Sequence, residues 1–208
     1  MPPLHLMAAT ERRIYERARD LKLRGEWSCE VENDIRIEER TLLRREWVIQ
    51  LQRPDSPGLR TWEAISPIID EWLDRKYGTM SFHLSQLMTG HGCFNQYLYR
   101  IGKMDSPICA HCGDESDSAE HTLIRCRTWE EERQELRKKM DTYLEEDEAL
   151  TLAKVIQLAV KSEKVWRAFN NFAETVMRRK EEEERKRKAA AWPAPLTYDD
   201  SSWDALPL

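Results

Sequence analysis

Residues 109–126 read CAHCGDESDSAEHTLIRC. Cys109 and Cys112 form a CxxC turn, His121 follows after eight residues, and Cys126 after four more. Zinc takes four soft or borderline donors in a tetrahedron. A CxxC turn places two thiolates on one side, and Gly113 behind it lets the backbone fold under the metal. His121 and Cys126 complete the set. Four protein ligands close the coordination sphere, so one structural Zn2+ is expected, with no open position for a reacting water. His111 is a competing imidazole, but a residue between two chelating cysteines normally points away from the metal. Cys29 and Cys93 stand apart and read as core thiols.

Working outward, the chain has 208 residues with 33 Lys and Arg against 38 Asp and Glu, a net charge of -5. That excludes a global positive field drawing in a polyanion, so any nucleic-acid affinity must come from local patches. Seven Gly and nine Pro are too few for a sandwich or barrel of many short turns, whereas Glu, Lys, Arg, Leu and Ala abound. The fold expected is mainly α, a helical bundle interrupted by the small CCHC knuckle. Five cysteines, an odd number with three inside 18 residues, favour a metal cluster over a disulfide framework. No window approaches the roughly 20 apolar residues of a membrane span, and no basic region precedes an apolar core at the N-terminus. An intracellular chain, in nucleus and/or cytoplasm, is expected.

Helical periodicity places the elements. Thr10 is positioned to cap a helix carrying Ile14, Ala18 and Leu21 that ends near Gly25. A second runs from about Asp34 to Leu51 and stops at the turn 54–58. Ser66-Pro67 reads as the start of a third, bearing Ile68, Ile69, Trp72, Leu73 and Lys76. Ser81 caps a fourth with Leu84, Leu87 and Met88, closed at Gly90, and Phe94, Tyr97, Leu98 and Ile101 make a fifth closed by Gly102. Thr128 with Glu131 has capping-box spacing ahead of Trp129, Arg133, Leu136, Met140 and Leu144. Leu152, Val155, Ile156 and Ala159 form another helix, and Trp166 to Met177 the last. In KEEEERKRK, from Lys180, each of Glu181 to Glu184 stands four residues before a base, which reads as a solvated helical extension. The organisation expected is a helical region over 1–80, short helices and knuckle over 81–130, C-terminal helices over 131–188, and a disordered tail over 189–208.

The run LSQLMTGHGCFNQYLYRIGKMDSPICAHCGDESDSAEHTLIRCRTWEEERQEL resembles the C-terminal cysteine-histidine region in the second open reading frame of arthropod non-LTR (LINE-type) retrotransposons, especially the clade inserting into ribosomal DNA. The likeness extends to Tyr97-Leu98, Ile101-Gly102, and Trp129 followed by Arg133. Upstream, PPLHLMAATERRIYE and the segment from Trp62 to Trp72 resemble the stretch joining polymerase to knuckle. Downstream, Trp166, Phe169, Val176-Met177 and Lys180 to Arg185 resemble the family's terminal helices. The resemblance implies a piece of a reverse-transcriptase polyprotein used in target-primed reverse transcription, with Cys109, Cys112, His121 and Cys126 matching the knuckle ligands. The helices and knuckle leave no room for an endonuclease or a polymerase, and Asp199-Asp200 in the tail does not sit between paired strands. This chain is therefore expected not to be an enzyme and to have no small-molecule substrate.

Knuckles grip single strands through basic residues on phosphates and aromatic faces on bases. Between Tyr99 and Glu130 there are four basic and six acidic residues, so the knuckle is locally acidic, and its eight-residue spacer departs from the four-residue spacer of viral nucleocapsid knuckles. The candidate contacts to RNA or DNA are Arg100, Lys103, Arg125 and Arg127, with Tyr97, Tyr99 or Trp129 as stacking faces. Packing on the metal site is the competing role for Tyr97 and Trp129. Arg36, Arg40 and Arg44 recur every four residues, either as phosphate contacts or as stems lying along a buried stripe. His91, between glycines, has no nucleophile or orienting carboxylate beside it and reads as a turn residue. The alternative to a nucleic-acid module is a zinc-stabilised scaffold that docks on protein: the polymerase domain, another copy, or a host partner.

Overall fold

The computed structural model describes residues 2–52, 58–141 and 149–191. Pro3 and Ser28 set the first two helices. Proline, with φ fixed at -58°, precedes α1 (Leu4–Arg24), and the Ser28 hydroxyl accepts from the Val31 amide at 3.2 Å to cap α2 (Cys29–Leu51). Both helices begin earlier than their periodicity suggests. Thr10 lies inside α1, buried, with its hydroxyl accepting from Arg13. The two helices pair antiparallel through Leu6, Ile14, Ala18 and Ile35 and through a buried carboxylate, Glu39. Arg13 (2.6 Å) and Arg17 (3.0 Å) hold Glu39. The hydrogen bond from Arg13 outweighs burial and keeps this carboxyl below its ordinary pKa.

Two of the three arginines in the series on α2 are held by acids. Arg36 pairs with Glu32 at 2.8 Å, and Arg44 reaches Asp70 at 2.8 Å and Asp74, tying the hairpin to α4 (Ile69–Asp74). Arg40 is exposed. Ion pairing describes Arg36 and Arg44 better than a phosphate-binding row or stems along an apolar stripe. Cys29, expected in a core, is exposed in the first turn of α2.

Between hairpin and α4 stands α3 (Leu59–Ile65), which the periodicity misses because it is only seven residues long. Ser66 closes α3 and opens the 3-10 turn Ser66–Ile68 into α4, so Ser66 is not the cap of a longer helix. α5 (Phe82–Thr89) has the expected Ser81 cap and Gly90 close, and α6 (Asn95–Arg100) follows. Arg60 of α3 donates to the carbonyls of Leu87 (2.7 Å) and Met88 (2.6 Å), satisfying the end of α5. After the cysteine- and histidine-bearing segment come α7 (Glu130–Met140), α8 (Leu152–Lys161) and α9 (Glu163–Ala191).

α9 is the spine, with α5, α7 and α8 packed along it. Its inward stripe, Val165, Trp166, Phe169, Phe172, Ala173, Val176 and Met177, joins Leu84, Leu87, Leu136, Met140, Val155, Ile156 and Ala159 in a core that extends to Ala64. There are nine α-helices and no strand among the described residues. No described helix is long and apolar enough to cross a membrane. α9 continues to Ala191, past the tail boundary expected at 189; the rest of that tail, and Leu144, lie outside the described residues.

Gly78 fixes the corner between α4 and α5. Its φ is +76°, and a Cβ there would lie 2.3 Å from the Trp166 indole. That indole packs on Trp72 (5.5 Å between centroids), with the Arg75 guanidinium over both rings. Gly78→Ala therefore meets both a left-handed backbone and a wall of rigid aromatic atoms. Its urea midpoint should drop by an amount worth about 3 kcal/mol.

The seam between α5 and α9 contains His83, whose Nδ1 lies 2.7 Å from Glu174 and whose Nε2 lies 3.2 Å from Glu181. Burial opposes ionisation, but the hydrogen bonds with Glu174 and Glu181 outweigh it and raise the imidazole pKa above its ordinary value. The stabilisation is fully present below the unfolded pKa of about 6.5 and is lost as pH rises through the folded value. Urea midpoints measured from about pH 5.5 to 9 should fall across that window, and His83→Gln should remove this component of the fall.

Candidate metal centre

The polypeptide reaches the site as a loop after α6. The Gly113 amide donates to the Cys109 carbonyl at 2.8 Å and the Cys109 amide to the Asp114 carbonyl at 2.8 Å, closing the CxxC turn. Gly113 has φ +80°, the left-handed residue that such a return requires. Beyond the acidic turn, the Ser118 hydroxyl accepts from the His121 amide at 2.9 Å and starts a wide π-helical turn, His121–Arg125. The Cys126 amide donates to the His121 carbonyl at 2.8 Å. That wide turn brings both residues to the same side.

Cys109, Cys112, His121 and Cys126 converge, with one ligand atom from each lying within 4.8 Å of all the others. Cys109 Sγ is 4.0 Å from Cys126 Sγ, and Cys112 Sγ is 3.3 Å from His121 Nε2. Metal–sulfur bonds of about 2.3 Å set tetrahedral sulfurs about 3.8 Å apart, so the spacing fits a thiophilic cation and this Cys3His cluster could hold a metal ion. Cys109, His121 and Cys126 are buried and Cys112 is half-buried. His121 Nδ1, away from the thiols, lies 3.7 Å from an Asp114 carboxylate oxygen, the kind of outer partner that orients a ligating imidazole. Contact with Cys126, then burial, pushes the Cys109 thiol pKa up, and the same contact draws Cys126 down. Such a cluster gives up protons when a dication enters.

His111 does point away. Its ring packs on Trp129 at 4.8 Å between centroids, and its carbonyl accepts from the Thr128 hydroxyl at 2.9 Å. Thr128 therefore does not form the capping box; Trp129 occupies the cap position of α7. Cys93 is half-buried with its thiol donating to Glu184 at 2.7 Å, and burial, followed by that carboxylate, pushes its pKa up to about 12.

Three side chains hold the site from behind. Arg133, fully buried, donates to the carbonyls of Leu123 (2.9 Å) and Cys126 (2.7 Å) and pairs with Glu130. It thereby satisfies the Leu123 carbonyl inside the π-turn and adds a second donor to the Cys126 carbonyl, which also accepts from the Trp129 amide at 3.2 Å. Asp117, mid-loop, is met by Lys180 of α9 at 2.6 and 2.9 Å, both side chains being almost fully buried. Sequence reading placed Arg133 on the inward face but assigned Asp117 to an acidic turn and Lys180 to a solvated run. The available signal was the stripe Trp166, Phe169, Ala173, Val176, Met177, whose next inward position is 180.

The candidate nucleic-acid residues divide. Arg100, Lys103, Arg125, Arg127 and Tyr99 are exposed. Tyr97 is half-buried, packed on His91 at 4.9 Å with the Arg100 guanidinium 5.4 Å from its centroid. Trp129 is 1% exposed and offers no face to a base; it is the wall between His111 and Arg179.

Over 44 residues, 21% of the chain, the sequence is 43% identical to the retrovirus-related Pol polyprotein from type-1 retrotransposable element R1 2 of Nasonia vitripennis. The chain spans about 10% of that protein's length. The likeness supports a retrotransposon origin. No family model and no solved structure matches the chain.

The reduced full chain should bind one equivalent of Co2+ with the visible absorption of a tetrahedral thiolate site, and Cys126→Ser should weaken binding by about 100-fold or more. A colourless, octahedral-like Co2+ titration would overturn the geometry.

Proposed function

We propose that the chain is the accessory region following the polymerase in a non-LTR retrotransposon reverse transcriptase, and that it binds RNA or DNA during target-primed reverse transcription through a zinc-organised knuckle. The metal would be a single structural Zn2+ held by Cys109, Cys112, His121 and Cys126, the donor set borderline-soft zinc prefers. The carrying observation is the converged Cys3His cluster in a chain that shares a segment with a retrotransposon polyprotein. Such a region acts beside a catalytic domain rather than as one.

The residues proposed to meet phosphate are Arg100, Lys103, Arg125 and Arg127. None has an ion-pair partner among the described residues, unlike Arg36, Arg44, Arg133 and Arg179, which are committed to acids. Tyr97 and Tyr99 remain the aromatic candidates. A second reading, a zinc-held docking scaffold for the polymerase domain or another copy, is favoured by apolar side chains left exposed on α1 and α2: Leu4, Tyr15, Leu23, Ile37 and Ile49.

The two readings separate in a salt series with the zinc-loaded chain on single-stranded RNA, single-stranded DNA and duplex DNA. Phosphate contacts release counterions, so Arg125→Ala with Arg127→Ala should reduce the slope of log affinity against log salt by about 1.4 on single strands or about 1.8 on duplex. No binding at low salt by folded, zinc-loaded protein would sink the nucleic-acid reading and leave the scaffold.

A further inference from the structure

The eight residues between Cys112 and His121 must fold back for the imidazole to meet the thiols, and Asp117 is their fixed point. Its amide donates to the Pro107 carbonyl at 2.8 Å, and its carbonyl accepts from the Gln96 amide at 3.2 Å. Its carboxylate accepts from the Asn95 amide at 2.9 Å and from both approaches of Lys180 Nζ. The ammonium also stands 5.4 Å from the Phe94 ring centroid, in a cation–π arrangement. Lys180 is 1% exposed and Asp117 2%, so each charge depends on the other for its compensation.

Lys180 arrives from a helix 63 residues away in sequence, and its neighbours on α9 grip the same frame. Arg179 reaches Glu132 at 2.6 Å, Glu184 accepts the Cys93 thiol at 2.7 Å, and Arg187 reaches the Asn95 side chain at 3.4 Å. From Arg179 onward, α9 rests on the segments that frame the ligand loop. Resting on the reading that the cluster holds zinc, we propose that Lys180 is a positioning residue for a metal it does not touch, and that metal binding and docking of α9 from Lys180 onward are one linked equilibrium. Closing His121 onto the thiols holds the loop, the loop holds Asp117, and Asp117 is what allows an ammonium to be buried. Linkage makes the coupling reciprocal: whatever affinity the docked helix adds to the metal, the metal adds to the docking of the helix.

The test uses the full reduced chain and Zn2+ itself, with affinity measured by competition against a chromophoric chelator and helix content followed by circular dichroism. Lys180→Met should weaken Zn2+ binding by about 10- to 100-fold, the range seen when a residue orienting a ligand is lost. Asp117→Asn should weaken it too, and the double variant should lose less than the sum of the two, because no unpaired charge remains. Lys180→Arg, which keeps the charge, should restore most of the affinity. The variant-free readout is amide hydrogen exchange in residues 180–191 of the wild-type chain, which should slow when Zn2+ is added. Tight Zn2+ binding with no change in that protection, or a folded Lys180→Met that binds as tightly as wild type, overturns the linkage while leaving the metal reading intact. A wild-type chain that binds no Zn2+ with all cysteines reduced overturns the metal reading and the linkage together.

Discussion

An ammonium and a carboxylate, both almost fully buried, join the loop between Cys112 and His121 to the longest of the described helices. Lys180 and Asp117 would each be costly to bury alone, since removing one partner of such a pair typically costs about 3–5 kcal/mol. The carboxylate is also bound to a backbone amide and the ammonium faces an aromatic ring, so the remaining valences are partly met. A pair of this kind is weak evidence for net stability; what the structure shows is that it ties α9 to the loop at one position. The pair couples local order in a Gly- and Asp-containing turn, which has little apolar surface of its own, to the largest helix in the fold.

Arginine repeats the theme at the exit of the loop. Arg133, buried on α7, donates to the Leu123 carbonyl within the π-turn from His121 to Arg125 and to the Cys126 carbonyl just beyond it. Trp129 covers the same region and separates His111 from α9. The Trp and Arg that follow the last cysteine at intervals of three and seven residues are thus parts of the support for the Cys3His cluster. Aromatic residues beside a metal motif invite assignment as base-stacking faces, and burial decides the matter here: Trp129 presents no surface, whereas Tyr99 does.

Much of this was legible in the chain. The CxxC, His and Cys spacing identified the four side chains that converge, and Ser81, Gly90 and the stripe from Trp166 to Met177 located α5 and α9. Periodicity failed at helix starts. α1 begins at Leu4 behind Pro3, in an apolar stretch, LHLMAA, that precedes the expected Thr10 cap; α2 begins at Cys29 behind the Ser28 cap, and α3 is too short for a repeat to register. It also failed where a charged residue occupies a core position. Lys180 and Glu39 have the right phase for burial, but their types argue for solvent, and only a partner from a distant segment resolves the conflict. Thr128 carried a capping-box pattern and yet donates to His111, because the preceding cysteine and the π-turn dictate the backbone there.

The charge run after Lys180 shows how such conflicts change a functional reading. Taken as a solvated helix, KEEEERKRK cancels its own charge through pairs four residues apart. In the folded chain, Glu181 is drawn to His83 and Glu184 to the Cys93 thiol, with Lys188 keeping its pair to Glu184 and Lys186 pairing with Glu183 at three residues. Glu181 is therefore diverted inward, and Arg185, four residues on, has no ion-pair partner among the described residues. Two of the four acids, Glu181 and Glu184, thus anchor α9 to His83 of α5 and to Cys93 beyond it, while Glu182 and Arg185 face water. Net charge along a segment is then a poor guide to its field: what matters is which sign is used for packing. On α9 both signs are so used, Lys180 on Asp117 and Glu181 and Glu184 on His83 and Cys93, while Arg185 is left exposed.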